Sequence, residues 1–264
     1  MTEAAKVVRD RAGTSPVSAA LVLGSGLSGI GDLLSDRVAI PYSDLEGFPG
    51  GGVSGHGRDL LVGTLGGKRI AVLTGREHYY EHGNAAAMRP ALETMADLGA
   101  GTILLTNSAG SLDQAIRPGD LMMIADHINY AGMNPLIGEP SDRRFVNMVN
   151  AYDPSLRSQA QSIGARLDIT LKEGIYLWYS GPSFETVAEI QMAIRLGATA
   201  VGMSTAPEVI LARMLGLRVW ACSSITNMGA GLSDEKISHE HTKTMAVQGA
   251  DKLKKLIPAL LEAI

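Results

Sequence analysis

Short apolar runs recur along this chain, separated by segments of helical period. Ala19–Leu23, Ile70–Leu73, Thr102–Leu105, Leu121–Ile124, Ala198–Val201 and Leu217–Cys222 read as strands. Most lack polar alternation, which predicts a sheet covered on both faces. Ala85–Leu98, Pro154–Leu167, Thr186–Leu196 and Ala206–Leu215 read as helices, and Gly99, Gly197 and Gly216 stand where left-handed closing residues belong. Repeated helix–glycine–strand units predict an α/β sandwich with a mainly parallel or mixed sheet. Ser238 to Ile264 reads as one long helix, with Pro258 as a kink point. Gly47–Gly57 and Pro135–Arg144 read as loops, the first of them mobile. No repeat, low-complexity tail or linker interrupts the pattern.

Composition narrows the class. At 264 residues and 45% hydrophobic, the chain can bury one sizeable core within a single domain. A formal charge of −4 argues against a general polyanion-binding surface, so no nucleic-acid partner is expected and any phosphate must be held locally. Cys222, the only cysteine, lies in an apolar run and reads as a reduced strand residue. The start Met-Thr-Glu-Ala-Ala-Lys lacks the apolar core of a signal peptide, and no apolar run reaches membrane-spanning length. A soluble cytoplasmic protein is the expectation.

The candidate chemistry falls into two groups. Gly181-Pro-Ser-Phe-Glu-Thr-Val-Ala-Glu189 ends one element and starts a helix that Thr186 and Glu189 can cap. Phe184 and Glu185 there offer an aromatic face beside a carboxylate, which accepts hydrogen bonds only and suits a flat heterocycle with N–H donors. Four other places suit an anion. Gly24-Ser25-Gly26-Leu27-Ser28-Gly29 can aim backbone N–H groups and a hydroxyl at a phosphate. It is also a literal GxGxxG string, with Asp44 at about the distance a nicotinamide-dependent oxidoreductase requires. Against that stand a short, Gly/Ser-rich following segment and the turn-like setting of Asp44. Gly55-His56-Gly57 lies in the glycine-dense loop. Thr74-Gly75-Arg76-Glu77-His78-Tyr79-Tyr80-Glu81-His82-Gly83 follows a strand, so Arg76 can fork onto phosphate oxygens. His78 and His82 have i,i+4 spacing, but the string is not HExxH and no third ligand is indicated, so no metal is expected. Thr106-Asn107-Ser108-Ala109-Gly110 reads as a further strand end whose small residues permit close approach to a ligand.

With Gly202-Met-Ser-Thr-Ala-Pro-Glu208 and Thr226-Asn227, these motifs in this order resemble the trimeric class of purine nucleoside phosphorylases, from Leu21 to about His241. The resemblance implies a three-layer α/β sandwich with a central mixed sheet flanked by helices, in one domain over 1–264. It implies Ser25, His56, Arg76, Ser108 and Ser204 around phosphate, and His78 and Tyr80 at the phosphate–ribose boundary. It sets Phe184 beside the base, Glu185 on its Watson–Crick edge, Met203 against the ribose, Asn227 near N7 and the 6-substituent, and His241 near the 5′-hydroxyl. Glu185, Asn227 and His78 are the implied catalytic residues. Phosphate is then a cosubstrate, and no cofactor is implied. Where the family commonly reads His-Ala-Gly, this chain has His56-Gly57-Arg58, and Ser108 replaces a residue that is often Ala. Methylthioadenosine phosphorylases, close relatives, typically carry Asp where this chain has Asn227, and a small apolar residue in place of His241. Both differences point to phosphorolysis of 6-oxopurine nucleosides with a free 5′-hydroxyl, a methylthioadenosine phosphorylase being the alternative within the family. The stretch from Arg144 to Asp153 resembles the segment whose aromatic residue reaches a neighbouring subunit's site, here Phe145, and so implies a homotrimer.

Overall fold

The structure, a computed structural model, describes residues 1–50, 57–234 and 239–264, the side chains of the last stretch from Thr244 onward. Strand β1 (Ala19–Val22) lies between β4 (Lys68–Leu73) and β5 (Thr102–Ser111), parallel to both. Its residues alternate between two cores. Ala19 and Leu21 pack with Leu104, Trp220, helix α4 (Pro154–Arg166) and helix α7 (His239–Ala263). Ala20 and Val22 pack with Ile103, Leu105 and helices α1 (Glu3–Ala12), α3 (Arg89–Asp97) and α6 (Ala206–Met214). Both pleat faces are apolar because both are covered, which is why β1 shows no alternation.

The sheet is mixed and has two parts. β2 (Ser35–Pro41) and β3 (Asp59–Leu65) extend β4 antiparallel as an open edge. On the other side, β5 pairs with both β8 (Ala200–Gly202) and β9 (Arg218–Met228). β7 (Leu171–Trp178) and β6 (Leu121–Asn129) complete the ring β5–β8–β7–β6–β9. A register shift at Ala109/Gly110 marks where β5 turns from the open sheet into this ring, as bulges do at closing sheets. Helix α5 (Val187–Arg195) begins with the expected reciprocal cap. Glu189 N donates to Thr186 Oγ1 at 3.2 Å, and Thr186 N donates to Glu189 Oε2 at 2.7 Å.

Several elements go beyond the pattern reading. β2 is mostly exposed, β7 carries Lys172, Glu173 and Gly174 in its first half, and α1 is rich in charge, so none has a continuous apolar signature. β3 begins with Asp59 and carries Gly63 and Thr64. β5 and β9 also run on through Ser111 and Met228, so Asn107, Ser108, Thr226 and Asn227 stand inside strands rather than after them. Their polar side chains break the apolar run, yet the ladder continues, with Ser108 opposite Ser224 and Gly110 opposite Asn227. α7 continues through Pro258. Much of the expected Gly47–Gly57 loop lies outside the described residues.

Candidate active site

One cavity of about 290 Å³ opens where β5 bends, lined from the ends of β1, β4, β5, β8 and β9. Gly24 closes the first turn against β5: a Cβ there would lie 2.7 Å from Asn107 Cα, so only glycine fits. Gly24 N donates to Thr106 Oγ1 at 3.1 Å, and Gly26 takes a positive φ of 76°. Ser108 Oγ donates to the Ser25 carbonyl at 3.1 Å and so braces the turn. A 3-10 helix (Ser28–Leu33) follows and leads to β2, which pairs antiparallel. A dinucleotide fold needs an α-helical crossover into a parallel strand after its glycine turn. Neither is present, and Asp44 is taken by Arg11 at 2.6 Å, so the nicotinamide alternative fails on geometry.

Arg76, three residues past β4, is 2% exposed. Its Nη2 donates to the Thr106 carbonyl at 2.6 Å and its Nη1 to Thr205 Oγ1 at 3.3 Å. Its Nε stands 3.2 Å from Glu208 Oε1, a close ion pair whose angle is not that of a hydrogen bond. Glu208, equally buried on α6, accepts from Thr205 N at 2.6 Å. These contacts hold the guanidinium rigid at the cavity wall, beside Ser25 and Ser204. Donors of this kind in a confined wall suit an anion.

His78 caps the short helix α2 (Tyr79–His82). Its N donates to Glu81 Oε1 at 2.7 Å, and its Nδ1 lies 3.1 Å from the same oxygen. Its ring stacks on Tyr80 at 4.8 Å between centroids. Burial pushes the Tyr80 phenol up to about 12, so it stays protonated and can both donate and accept. Gly181, with φ of 69°, brings Tyr80 and Met203 together: a Cβ there would meet Met203 Sδ at 2.5 Å and Tyr80 Cδ1 at 2.8 Å. The peptide bond from Gly181 to Pro182 is cis.

Other residues lining the cavity have a different character. Phe184 is 43% exposed. Among the described residues Glu185 Oε1 is buried with no hydrogen-bond partner, and desolvation raises the carboxyl above its ordinary value. Asn227 is buried within β9. Its Nδ2 donates to the Met228 carbonyl at 2.9 Å, and its Oδ1 accepts from Thr226 Oγ1 at 2.9 Å. An amide nitrogen has two hydrogens and an amide oxygen two lone pairs. One of each therefore remains for a ligand.

Ser25, Arg76, His78, Tyr80, Ser108, Phe184, Glu185, Met203, Ser204 and Asn227 thus come together around one cavity. Phe145 does not line it. It is 77% exposed, with the Arg144 guanidinium 5.0 Å from its ring centroid, so it does not anchor its loop to its own core. His56 lies outside the described residues, as does the side chain of His241. Asn107, Thr205, Glu208 and Glu81 were not singled out from the sequence. Thr205-Ala-Pro-Glu208 has the spacing of a capping box, a legible signal. That Glu208 turns inward to Arg76 was not legible.

A covered mixed sheet whose strand ends build one cavity, lined both by donors that suit an anion and by groups that suit a heterocycle, fits an α/β enzyme of nucleoside chemistry. The family model of the phosphorylase superfamily matches residues 18–262. "Purine nucleoside phosphorylase 1" of Geobacillus stearothermophilus is 41% identical over 242 residues, covering 90% of this chain and 88% of the relative. Purine nucleoside phosphorylase of Bos taurus is 39% identical over 255 residues, covering 93% and 88%. The crystal structure of the Schistosoma mansoni purine nucleoside phosphorylase in complex with inosine superposes with a TM-score of 0.92 at 32% identity, covering 99% of this chain and 95% of that one. The chain belongs to this family, the purine nucleoside phosphorylases of the phosphorylase superfamily, and is a pentosyltransferase.

Proposed function

We propose that the cavity carries out phosphorolysis of 6-oxopurine ribo- and deoxyribonucleosides, giving free purine and (deoxy)ribose 1-phosphate. The observation that carries this reading is the unpartnered Glu185 carboxylate oxygen sharing one cavity with the buried Arg76 wall. A 6-oxopurine offers an N1–H to a carboxylate. Asn227 has one hydrogen for O6, and its spare Oδ1 lone pair accepts from N7 once the departing base takes a proton there from solvent. As the C1′–N9 bond breaks, its electron pair passes to the base, and Asn227 with Glu185 holds the charge-bearing form. Phosphate, gripped by Arg76, Ser25, Ser204 and the Ser108 backbone, with His56, stabilises the sugar cation and forms the new bond to C1′. His78 and Tyr80 meet phosphate and ribose at their boundary, Met203 packs on the sugar, Phe184 faces the base and His241 takes the 5′-hydroxyl. Catalysis is positional and electrostatic. No cofactor or metal takes part, and phosphate is a substrate. Among the described residues no helix is long and apolar enough to cross a membrane. The cytoplasm is the proposed compartment.

Purified protein is expected to release hypoxanthine from inosine only when phosphate or arsenate is supplied. Equal release without either anion would make the activity hydrolytic. The raised Glu185 carboxyl adds a pH prediction. Its proton returns at a pH above the ordinary glutamate value of 4.5, and the neutral form loses an acceptor for N1–H. The kcat/KM for inosine should therefore fall on acidification with a limb above that value. Glu185→Gln should remove the limb while lowering the plateau, which a pH–rate profile reads directly.

We further propose a homotrimer in which Phe145 covers a neighbouring subunit's ribose end. Its exposure supports this, as does that of Ile137 and Val149 on the same stretch, since large apolar groups on a surface mark contact sites. Mixed trimers of the inactive variants Phe145→Ala and Glu185→Ala should regain part of the activity, because some sites draw an intact residue from each chain. A monomer by light scattering, or inert mixed trimers, would remove Phe145 from the site.

A further inference from the structure

Thr205 sits at the start of α6 with φ 70° and ψ −51°, a conformation a β-branched residue avoids. Ala206 N donates back to the Ser204 carbonyl at 2.8 Å, so Thr205 is the centre of a γ-turn of the rare, strained hand. The residue is fully buried and does not line the cavity. Such strain persists only where the surroundings over-determine it, and here they do. Thr205 N is held by Glu208, and Thr205 Oγ1 meets three side chains. Arg76 Nη1 donates to it at 3.3 Å and Asn107 Nδ2 at 2.8 Å, while Ser204 Oγ lies 3.1 Å away.

A hydroxyl has two lone pairs and one hydrogen. Arg76 and Asn107 take both lone pairs, so the Thr205 hydrogen is directed at Ser204 Oγ. The Ser204 hydrogen is then directed away from Thr205, toward Tyr176 Oη beside it or a ligand in the cavity. Arg76, Asn107 and Ser204 all line the cavity. One buried hydroxyl therefore sets the position of a cationic donor and the polarity of a hydroxyl donor on the same wall. We propose that Thr205 is a positioning residue for phosphate, its γ-turn placing one hydroxyl where it fixes Arg76 and Ser204 together. The assignment rests on the phosphorolytic reading for the identity of the anion.

Three variants separate the hydroxyl from the turn. Thr205→Gly relieves the positive φ but removes the hydroxyl, Thr205→Val keeps the shape and removes the hydroxyl, and Thr205→Ser keeps the hydroxyl. Inorganic phosphate binding is measured by titration calorimetry without nucleoside, so this result stands apart from whether the enzyme is phosphorolytic. Phosphate affinity should fall about tenfold or more in Thr205→Gly and Thr205→Val, the scale of one charge-assisted hydrogen bond. Thr205→Ser should stay within about threefold of the parent on the same scale. The KM for phosphate should follow the calorimetric values, and the KM for inosine should hardly move. The Tm of Thr205→Gly should equal or exceed that of Thr205→Val, which loses the same hydroxyl but keeps the strained φ. Unchanged phosphate affinity in both hydroxyl-free variants would overturn the proposal. So would equal losses for phosphate and inosine, which a turn that merely shapes the cavity would produce, or a Thr205→Ser protein as weak as Thr205→Val.

Discussion

Replacing Arg76 by Ala is expected to lower kcat/KM for phosphate on the order of 10²–10³-fold, the usual cost of a preorganised charge-stabilising donor. Inosine binding should change far less, because the groups that suit a purine are Glu185 and Asn227, neither of which contacts Arg76 through a hydrogen bond or ion pair. The same change should also destabilise the fold. Glu208 is 3% exposed and would keep a buried charge without its cation, a loss of about 3–5 kcal/mol when one partner of a buried pair is removed. The two effects can be separated. Adding Glu208→Gln to Arg76→Ala removes the orphaned charge, so the double variant should regain much of the lost stability in urea titrations without regaining phosphate use. If phosphate kinetics recover with stability, Arg76 acts through the fold and not on the anion.

The second large effect concerns the base. Wild-type protein should prefer inosine to adenosine on the order of 10⁴-fold in kcat/KM, the scale on which a closed polar site rejects a ligand that leaves its groups unpaired. An adenine N1 has no hydrogen for Glu185, and its 6-amino group meets an Asn227 hydrogen rather than an acceptor. Asn227→Asp keeps an acceptor for Thr226 Oγ1 but faces O6 with a second acceptor and leaves the Met228 carbonyl without its donor. Inosine turnover should fall and the preference narrow toward adenosine. The comparison is made on turnover, because binding alone does not report cleavage of the glycosidic bond. Equal turnover of the two nucleosides by the parent enzyme would show that Asn227 does not set the choice.

Glycines and short polar motifs were the legible part of this protein. Gly24 and Gly181 stand where backbone or side chains pack too closely for a Cβ, a requirement that leaves one residue type and hence a mark in the sequence. Apolar strands buried on both faces were legible for the same reason, since every position must be apolar. The reading lost track where polarity and strand coincide. Asn107, Ser108, Thr226 and Asn227 look like the end of a strand because their side chains are polar. They stay in the ladder because β5 and β9 pair on through Ser111 and Met228, while these same residues line the cavity.

By itself the sequence determined the α/β class and the capped start of α5, because each rests on local chemistry, and it pointed to most of the residues that meet at the cavity through its resemblance to a family. Only the tertiary structure decided that the GxGxxG turn feeds a 3-10 helix and an antiparallel edge, and that Arg76 is clamped by Glu208 and Thr205. It alone left Phe145 facing outward. Those outcomes depend on partners 129 and 132 positions away from Arg76 in the chain, or on the path of a strand after a turn. No local preference encodes a contact whose energy exists only once distant segments have packed.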